Sequence, residues 1–259
     1  YSVSVLIPTL LSTFLNLGIA PANVYYVGRE DASVKTALVS SLVLWTGLSI
    51  FGLTVGAAII FFRAEQWFPS VSYHLLWIAL FSFPFFLLER LFLGLLQSVQ
   101  DFKSYNGAML VAPTVTLLGA AILVWGGGIG TMGAVASFGG GYLVGALVAG
   151  WNVRSHLSQT RNDNWWTYAK ECVGYGWKAH LSNVLTFVNY RADLYLVNFF
   201  ISPAAAGIYV IAVRIAERMW MLSSAVSTVV LPRLAELHTE EEKRKYLTPL
   251  VSRWVLIAS

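Results

Sequence analysis

The sequence predicts an all-α fold, a polytopic bundle of membrane helices. Of its 259 residues, 57% are hydrophobic and only 12% are charged, and the mean hydropathy is +0.65. A soluble domain carries about 25% charged residues, so this chain has too few polar side chains to cover a soluble globule. The pI near 9.2 is typical of basic loops held against an anionic membrane surface, and no nucleic-acid partner is expected. The single cysteine, Cys172, excludes an internal disulfide and a CxxC metal site, and we expect no metal or cofactor.

Seven apolar stretches are long enough to cross a membrane, and an eighth begins near the end of the chain. About 20 apolar residues cross a hydrocarbon core of roughly 30 Å as a helix. The connections are short and carry Gly, Pro, Ser or charge, as in GREDAS, WFPSVS, GGGIGT and ISPAAAG. The predicted spans are residues 1–28, 35–62, 73–98, 107–125, 132–152, 177–200 and 204–231, and residues 247–259 open the next one.

Proline and glycine predict irregularities in four of these spans. Pro8, Pro84 and Pro113 lie inside the first, third and fourth spans, where kinks are expected because proline removes a backbone donor. The fifth span contains three consecutive glycines at 139–141, which predict close approach to a neighbouring helix.

Basic residues are distributed unequally between the two sides of the predicted bundle. Arg63 stands alone on one side. The other side carries Arg29, Lys35, Lys103, Arg154, Arg161, Lys170, Lys178, Arg233, Lys243, Arg244, Lys245 and Arg253. Because cytoplasmic loops are enriched in Lys and Arg, the basic side is predicted to be cytoplasmic, and the first span is predicted to run inward.

The longest connection, residues 153–176, divides the chain into an N-terminal part, 1–152, and a C-terminal part, 177–259. Its aromatic and basic residues are Trp165, Trp166, Tyr168, Lys170 and Tyr175, followed by Trp177 and Lys178. This composition indicates either a helix lying in the headgroup zone or a connector with an aromatic belt, and both place it at the cytoplasmic surface. Because the chain starts without methionine inside a span and stops inside another, we expect an internal fragment of a longer chain.

Seven ionisable residues lie inside the apolar spans, where each costs at least about 2.5 kcal/mol on insertion scales. They are Glu89, Arg90, Arg191, Asp193, Arg214, Glu217 and Arg218. The last three share one helix face by their i, i+3, i+4 spacing. At 1.5 Å per residue, Arg191 and Arg214 both lie roughly 14–15 Å from the outer helix ends, near the midplane.

Two interpretations of these charges remain open. In one, Asp193 pairs with Arg214 while Glu217 pairs with Arg191 or Arg218, which neutralises a seam between helices. In the other, a surplus guanidinium receives an anion, because arginine presents a planar fork to phosphate oxygens. The second interpretation assigns Arg191, Arg214, Arg218 and Asn189 to substrate binding, and Asp193, Glu217 and Glu89 to counter-ion or coupling roles.

Other polar residues inside the spans carry weaker predictions. Asn16, Gln97 and Asn183 can line the same cavity, although amides also hydrogen-bond neighbouring helices, which is the more common role. Arg90 lies nearer the cytoplasmic end and can snorkel toward the headgroups. His180, near the cytoplasmic entrance of its span, fits an interfacial hydrogen bond or a proton site.

The stretch NYRADLYLVNFFISPAAAGIYVIAVRIAERMWMLSSAVSTVVLPRLAEL, residues 189–237, resembles the seventh and eighth helices of bacterial oligosaccharide flippases. These are the Wzx-like polysaccharide biosynthesis proteins of the multidrug/oligosaccharidyl-lipid/polysaccharide exporter superfamily. The likeness rests on RAD, GIY, AVRIAER and LPRLAE within that stretch. Residues 17–30 and 91–106 resemble the second helix and the fourth helix with its following loop.

The resemblance implies two six-helix lobes related by a parallel repeat, of which this chain holds helices two to eight and the start of helix nine. It implies a multi-pass inner-membrane transporter that flips undecaprenyl-diphosphate-linked oligosaccharide outward by alternating access for polysaccharide biosynthesis. Membrane lipids are its other partner, and H⁺ or Na⁺ as coupling ion is left open. Aligning Tyr1 with Tyr209 sets Leu6 and Leu10 against Arg214 and Arg218, so we expect the charge to be concentrated in the second half.

Two other classes of protein compete with a flippase. A membrane-embedded polysaccharide polymerase or lipid-linked glycosyltransferase needs catalytic groups at an aqueous face. The outer loops offer only Arg63, Glu65 and His74, and the cytoplasmic loops contain no Gly-rich phosphate loop, so we expect no enzyme. A cation-coupled drug exporter of the same superfamily would require an acidic cavity, which the surplus of arginine disfavours.

Overall fold

The computed structural model describes residues 4–68, 71–157 and 164–200, together with 209, 211–213, 215–217, 228 and 249. Within 187–200, several side chains also lie outside the described part. The described residues form helices and no strand, which confirms the all-α prediction. The helices are α1 (Leu6–Leu15), α2 (Ile19–Gly28), α3 (Val34–Trp67), α4 (Tyr73–Phe81), α5 (Phe83–Ser98), α6 (Phe102–Ala120), α7 (Gly130–Val153) and α8 (Trp165–Phe200).

Four of the described helical segments are long and apolar enough to cross a membrane, or five if the bent pair α1 and α2 forms one span. The four are Val34–Trp67, Tyr73–Ser98, Phe102–Gly126 and Gly130–His156. The protein is therefore a multi-pass membrane protein, and the first five predicted spans occur in order. The seventh and eighth predicted spans lie largely outside the described residues.

The first span is broken, but the break does not lie at its proline. Pro8 is in the first turn of α1, where proline is tolerated because that backbone donor has no intrahelical partner. The chain instead bends by 45° between α1 and α2, where Leu17 and Gly18 adopt positive φ values of 47° and 65°. The side-chain oxygen of Asn16 accepts a 2.9 Å hydrogen bond from the Gly18 amide and stabilises the turn.

In the later spans the close approach predicted at the glycines is confirmed, whereas the kink predicted at Pro113 stays a prediction. Pro84 lies at the start of α5, next to the short break at Ser82 between α4 and α5. Pro113 lies inside α6, which continues to Ala120. A Cβ at Gly141 would lie 2.6 Å from the Ala112 carbonyl oxygen of α6, so the backbones of α6 and α7 approach closely as predicted.

Helix α8 begins at Trp165, so the aromatic and basic part of the predicted linker is helical, and the predicted start of the membrane span at Trp177 stays a prediction. Residues 165–176 are continuous with the rest of α8 and pack on α2 and α3. A methyl group at Gly18 would overlap the carbonyl of Gly176. Further along, His180 Nε2 lies 3.0 Å from the carbonyl oxygen of Phe14. Helix α8 therefore runs antiparallel to α2 and then α1, across the break.

A buried polar network joins α2, α3 and α8. The Asn23 side chain has no exposed surface; its Nδ2 donates to Ser41 Oγ at 2.9 Å, and its Oδ1 accepts from the Tyr168 hydroxyl at 2.8 Å. Cys172 Sγ lies 4.0 Å from the same Oδ1. Because both the nitrogen and the oxygen of the Asn23 amide are hydrogen-bonded, the network fixes the register of α8 on α2.

Candidate functional site

The loops that are predicted to be cytoplasmic, as far as the structure describes them, lie at one end of the bundle, which is called here the basic end. The turn after α5 meets the end of α7 where Asp101 Oδ2 lies 3.1 Å from His156 Nε2. The Tyr25 and Tyr175 rings stack with their centroids 4.5 Å apart. Arg63, the lone basic loop residue of the other side, lies near the end of α3 and donates to Gln66.

A cavity of about 460 Å³ lies between α5, α6 and α7 and is called the larger cavity. Its charged and polar lining residues are Glu89, Arg90, Gln97, Tyr105 and Tyr142. From Glu89 to Gln97 these residues follow α5 toward the basic end. The rest of the lining is apolar, and charged groups in a hollow inside a helix bundle suit a ligand that the lipid core would exclude.

A second cavity of about 130 Å³, the smaller cavity, lies beside the break between α1 and α2. Asn16 and Asn183 contribute its amides, and Trp45 contributes an aromatic wall. The Trp45 indole is fixed because its Nε1 donates to the Pro84 carbonyl at 2.8 Å. Arg90 and Ala20 line both cavities, so the two cavities adjoin at Arg90.

Arg90 is an exposed residue that lines both cavities. Its Cζ lies 4.9 Å from the centroid of the Phe86 ring. Phe86 is one helical turn before Arg90 and therefore farther from the basic end. The Arg90 side chain thus points away from the basic end and does not snorkel toward it. Across residues 4–68, 71–157 and 164–200, no hydrogen bond or ion pair joins Arg90 to an acid. A guanidinium inside a membrane span that forms no ion pair with a described acid is a candidate binding site for an anion.

Glu89 is buried against α7, with 5% of its surface exposed. A Cβ at Gly145 would lie 2.8 Å from Glu89 Oε1, so the glycine makes room for the carboxylate. The side chain still lines the larger cavity next to Arg90. The structure therefore places the predicted counter-ion Glu89 beside a cation, although its predicted role is untested.

Gln97 ends the polar lining of the larger cavity at the basic end. Its Nε2 donates a 3.0 Å hydrogen bond to the carbonyl oxygen of Thr228. Gln97 thus lines the cavity and also bonds a distant part of the chain, so both roles considered for the intramembrane amides apply to it. Asn16 and Asn183, which were predicted with it, line the smaller cavity.

The predicted charges of the second half are only partly described. The Asp193 carboxylate accepts a 2.7 Å hydrogen bond from the Tyr209 hydroxyl, which joins the two predicted antiparallel spans. Glu217 lies in a helical segment and is half-buried. Arg214 and Arg218 lie outside the described residues, as do the side chains of Arg191 and Asn189, so the predicted pairing with these arginines stays a prediction.

The sequence carries only a weak prediction for Arg90 and none for Tyr105 or Tyr142 as cavity residues. A usable signal was present for Arg90, because Phe86, Arg90 and Gln97 lie at i, i+4 and i+11 and share one face of α5. No comparable signal exists for the tyrosines, which reach the cavity from α6 and α7. In the described part of the chain, no group of three or more His, Cys, Asp or Glu residues could hold a metal.

Comparison with known proteins identifies the family of the chain. Residues 1–238 match the family described as polysaccharide biosynthesis protein, and its members are generally transporters and not enzymes. Comparison with curated proteins and with solved structures gave no significant match. Since the match covers most of this helical, multi-pass chain, the chain belongs to the Wzx-like family of polysaccharide biosynthesis proteins.

Proposed function

We propose that this protein is a flippase that moves an oligosaccharide carried on undecaprenyl diphosphate from the cytoplasmic to the outer leaflet of the bacterial inner membrane. The movement supplies polysaccharide biosynthesis and proceeds by alternating access. In this proposal residues 1–152 and 177–259 belong to two six-helix lobes, residues 153–176 link them, and the basic end faces the cytoplasm. Family membership supports a transport role.

The observation that carries the proposal is the Arg90 side chain at the junction of the two cavities, where it forms no ion pair with a described acid. A lipid-linked sugar has an anionic diphosphate next to its polar glycan, and both must cross the hydrocarbon core. Arginine binds phosphate oxygens through parallel charge-assisted hydrogen bonds. Arg90 is placed to receive the diphosphate, and the amides and phenols around it suit the hydroxyls of the glycan.

The remaining predicted residues complete the site in this proposal. Arg191, Arg214 and Arg218, with Asn189, contribute the second wall of the anion site. Asp193, Glu217 and Glu89 act as counter-ions when the cargo leaves, and H⁺ or Na⁺ drives the cycle. A cation-coupled drug exporter is less well supported, because the described acid in the larger cavity, Glu89, lies beside Arg90.

The test compares Arg90→Ala, Arg214→Ala and Arg218→Ala with Arg63→Ala, which removes an exposed arginine at the other end of the bundle. Loss of one charge-assisted contact costs about 1.5–3 kcal/mol, so each of the first three should lower export of lipid-linked glycan by about 10- to 100-fold. Export is measured as surface polysaccharide, and protein abundance in the membrane is measured in parallel. Arg63→Ala should retain export.

Loss of abundance together with loss of export would instead support the interpretation in which these arginines only hold the helices together. Normal export by all three variants would refute the proposed anion site.

A further inference from the structure

The Phe86 ring contacts the Arg90 guanidinium, and this contact bears on how the arginine side chain is held in the cavity. A long arginine side chain has many rotamers, and ordering it costs free energy. An arginine that must receive an anion therefore benefits from being held in place before the ligand arrives. The usual way to hold an arginine is an ion pair, yet none with a described acid is formed by Arg90.

The geometry points to Phe86 as the residue that positions Arg90 for anion binding. The ring face lies under the guanidinium, with 4.9 Å between Cζ and the ring centroid, which is within the range of a cation–π contact. An aromatic ring offers the guanidinium no carboxylate oxygen, so this contact does not pair the N–H donors of Arg90 with a charged acceptor. A carboxylate in the same place would occupy those donors and would compete with a phosphate. This inference rests on the proposed function and adds a positioning residue to it.

The Phe86 ring is itself held rigidly. It is 7% exposed, and Tyr142 of α7 packs edge-on against it at 4.5 Å with an interplanar angle of 87°. Phe138 contacts the Tyr142 ring at 4.8 Å. Edge-to-face packing of this kind favours one ring orientation, so α7 fixes Phe86 and Phe86 in turn fixes Arg90.

The other cation–π contacts of the described chain differ from this one. Arg29 lies over Tyr25 but also pairs with Asp31. Arg154 lies over the exposed Trp151. Lys170 lies over the exposed Trp166. These contacts lie at the basic end, where headgroups and water surround the cation, whereas Arg90 and its buried ring lie inside a span that adjoins both cavities.

The test is a double-mutant cycle between Phe86 and Arg90, read by binding of a defined probe. The protein is reconstituted in nanodiscs, and geranylgeranyl diphosphate and geranylgeranyl monophosphate are titrated separately. Because Arg90 is exposed, its cation–π contact lies at the weaker end of the usual range, and Phe86→Leu should weaken diphosphate binding by about 3- to 5-fold. Phe86→Tyr keeps an aromatic face and should bind within about two-fold of the parent, as the same contact predicts. Phe86→Met, which fills the volume without a ring, should behave like Phe86→Leu.

The decisive comparison is made in the Arg90→Ala background. There Phe86→Leu should have no further effect on binding, because the residue through which it acts is absent. Equal weakening in both backgrounds, or failure of Phe86→Tyr to retain binding, would overturn the positioning role. If Arg90→Ala binds the diphosphate as tightly as the parent, the proposed anion site fails. If Arg90→Ala weakens binding but Phe86→Leu weakens it equally in both backgrounds, only the positioning role of Phe86 fails.

Discussion

Asn23 shows how one side chain determines the packing of three helices. Its amide donates to Ser41 on α3 and accepts from Tyr168 on α8, with all of its surface buried. From the sequence Asn23 is only one more amide in an apolar stretch. Its role depends on partners from other parts of the chain, so it could not be predicted. Glu89 was predicted to be functional because a charge inside a span is conspicuous by itself.

Replacing Asn23 by alanine should destabilise the protein by about 2–4 kcal/mol, because two buried hydroxyl groups each lose a partner at about 1–3 kcal/mol. Unfolding in detergent, followed by tryptophan fluorescence against denaturant, measures the loss. Thr46→Ala on α3 is the matched control, because the Thr46 hydroxyl is exposed and bonds only its own helix. Equal stability of the two variants would contradict a stabilising role for the network.

At the scale of the helix, Asp101 defines the start of α6. Its Oδ1 accepts a 3.0 Å hydrogen bond from the Ser104 amide, and its Oδ2 contacts His156 at 3.1 Å. Partial burial favours the neutral acid, but the hydrogen bonds from Ser104 and His156 outweigh it and hold the pKa of Asp101 below its ordinary value. The carboxylate also lies at the positive end of the helix dipole.

Because the pKa of Asp101 is lower in the folded than in the unfolded protein, its charge stabilises the fold above the ordinary pKa. This stabilisation is lost as the pH falls through the folded value. Asp101→Asn keeps a capping oxygen and should cost about 0.5–1 kcal/mol at pH 7, the size of a charge effect at a helix end. The difference in unfolding free energy between the parent and the variant should shrink below about pH 4. A difference that stays constant between pH 7 and pH 3 would contradict this account.

For the whole molecule, the positive-inside pattern predicts which end faces the cytoplasm. Ser155 lies at the basic end, and Gln66 lies at the end that carries Arg63. Both side chains are exposed, whereas the native Cys172 is fully buried and should not react.

A membrane-impermeant maleimide should therefore label Gln66→Cys in intact spheroplasts and Ser155→Cys only in inverted vesicles. The unmodified protein, which retains Cys172, is the control for background labelling. Labelling of Ser155→Cys from the outside would reverse the orientation and the direction of the proposed transport.

The sequence by itself determined the fold class, the first five spans in order and the family, because hydrophobic length, loop charge and local motifs are properties of contiguous residues. It placed Glu89 and Gln97 among polar residues of a cavity for the same reason. The broken helix at Leu17 and Gly18, the start of α8 at Trp165 and the position of Arg90 were decided only by the tertiary structure. Each depends on a partner far along the chain: Gly176 against Gly18, Asn23 against Tyr168, and the α7 aromatic rings that hold Phe86 beneath the guanidinium.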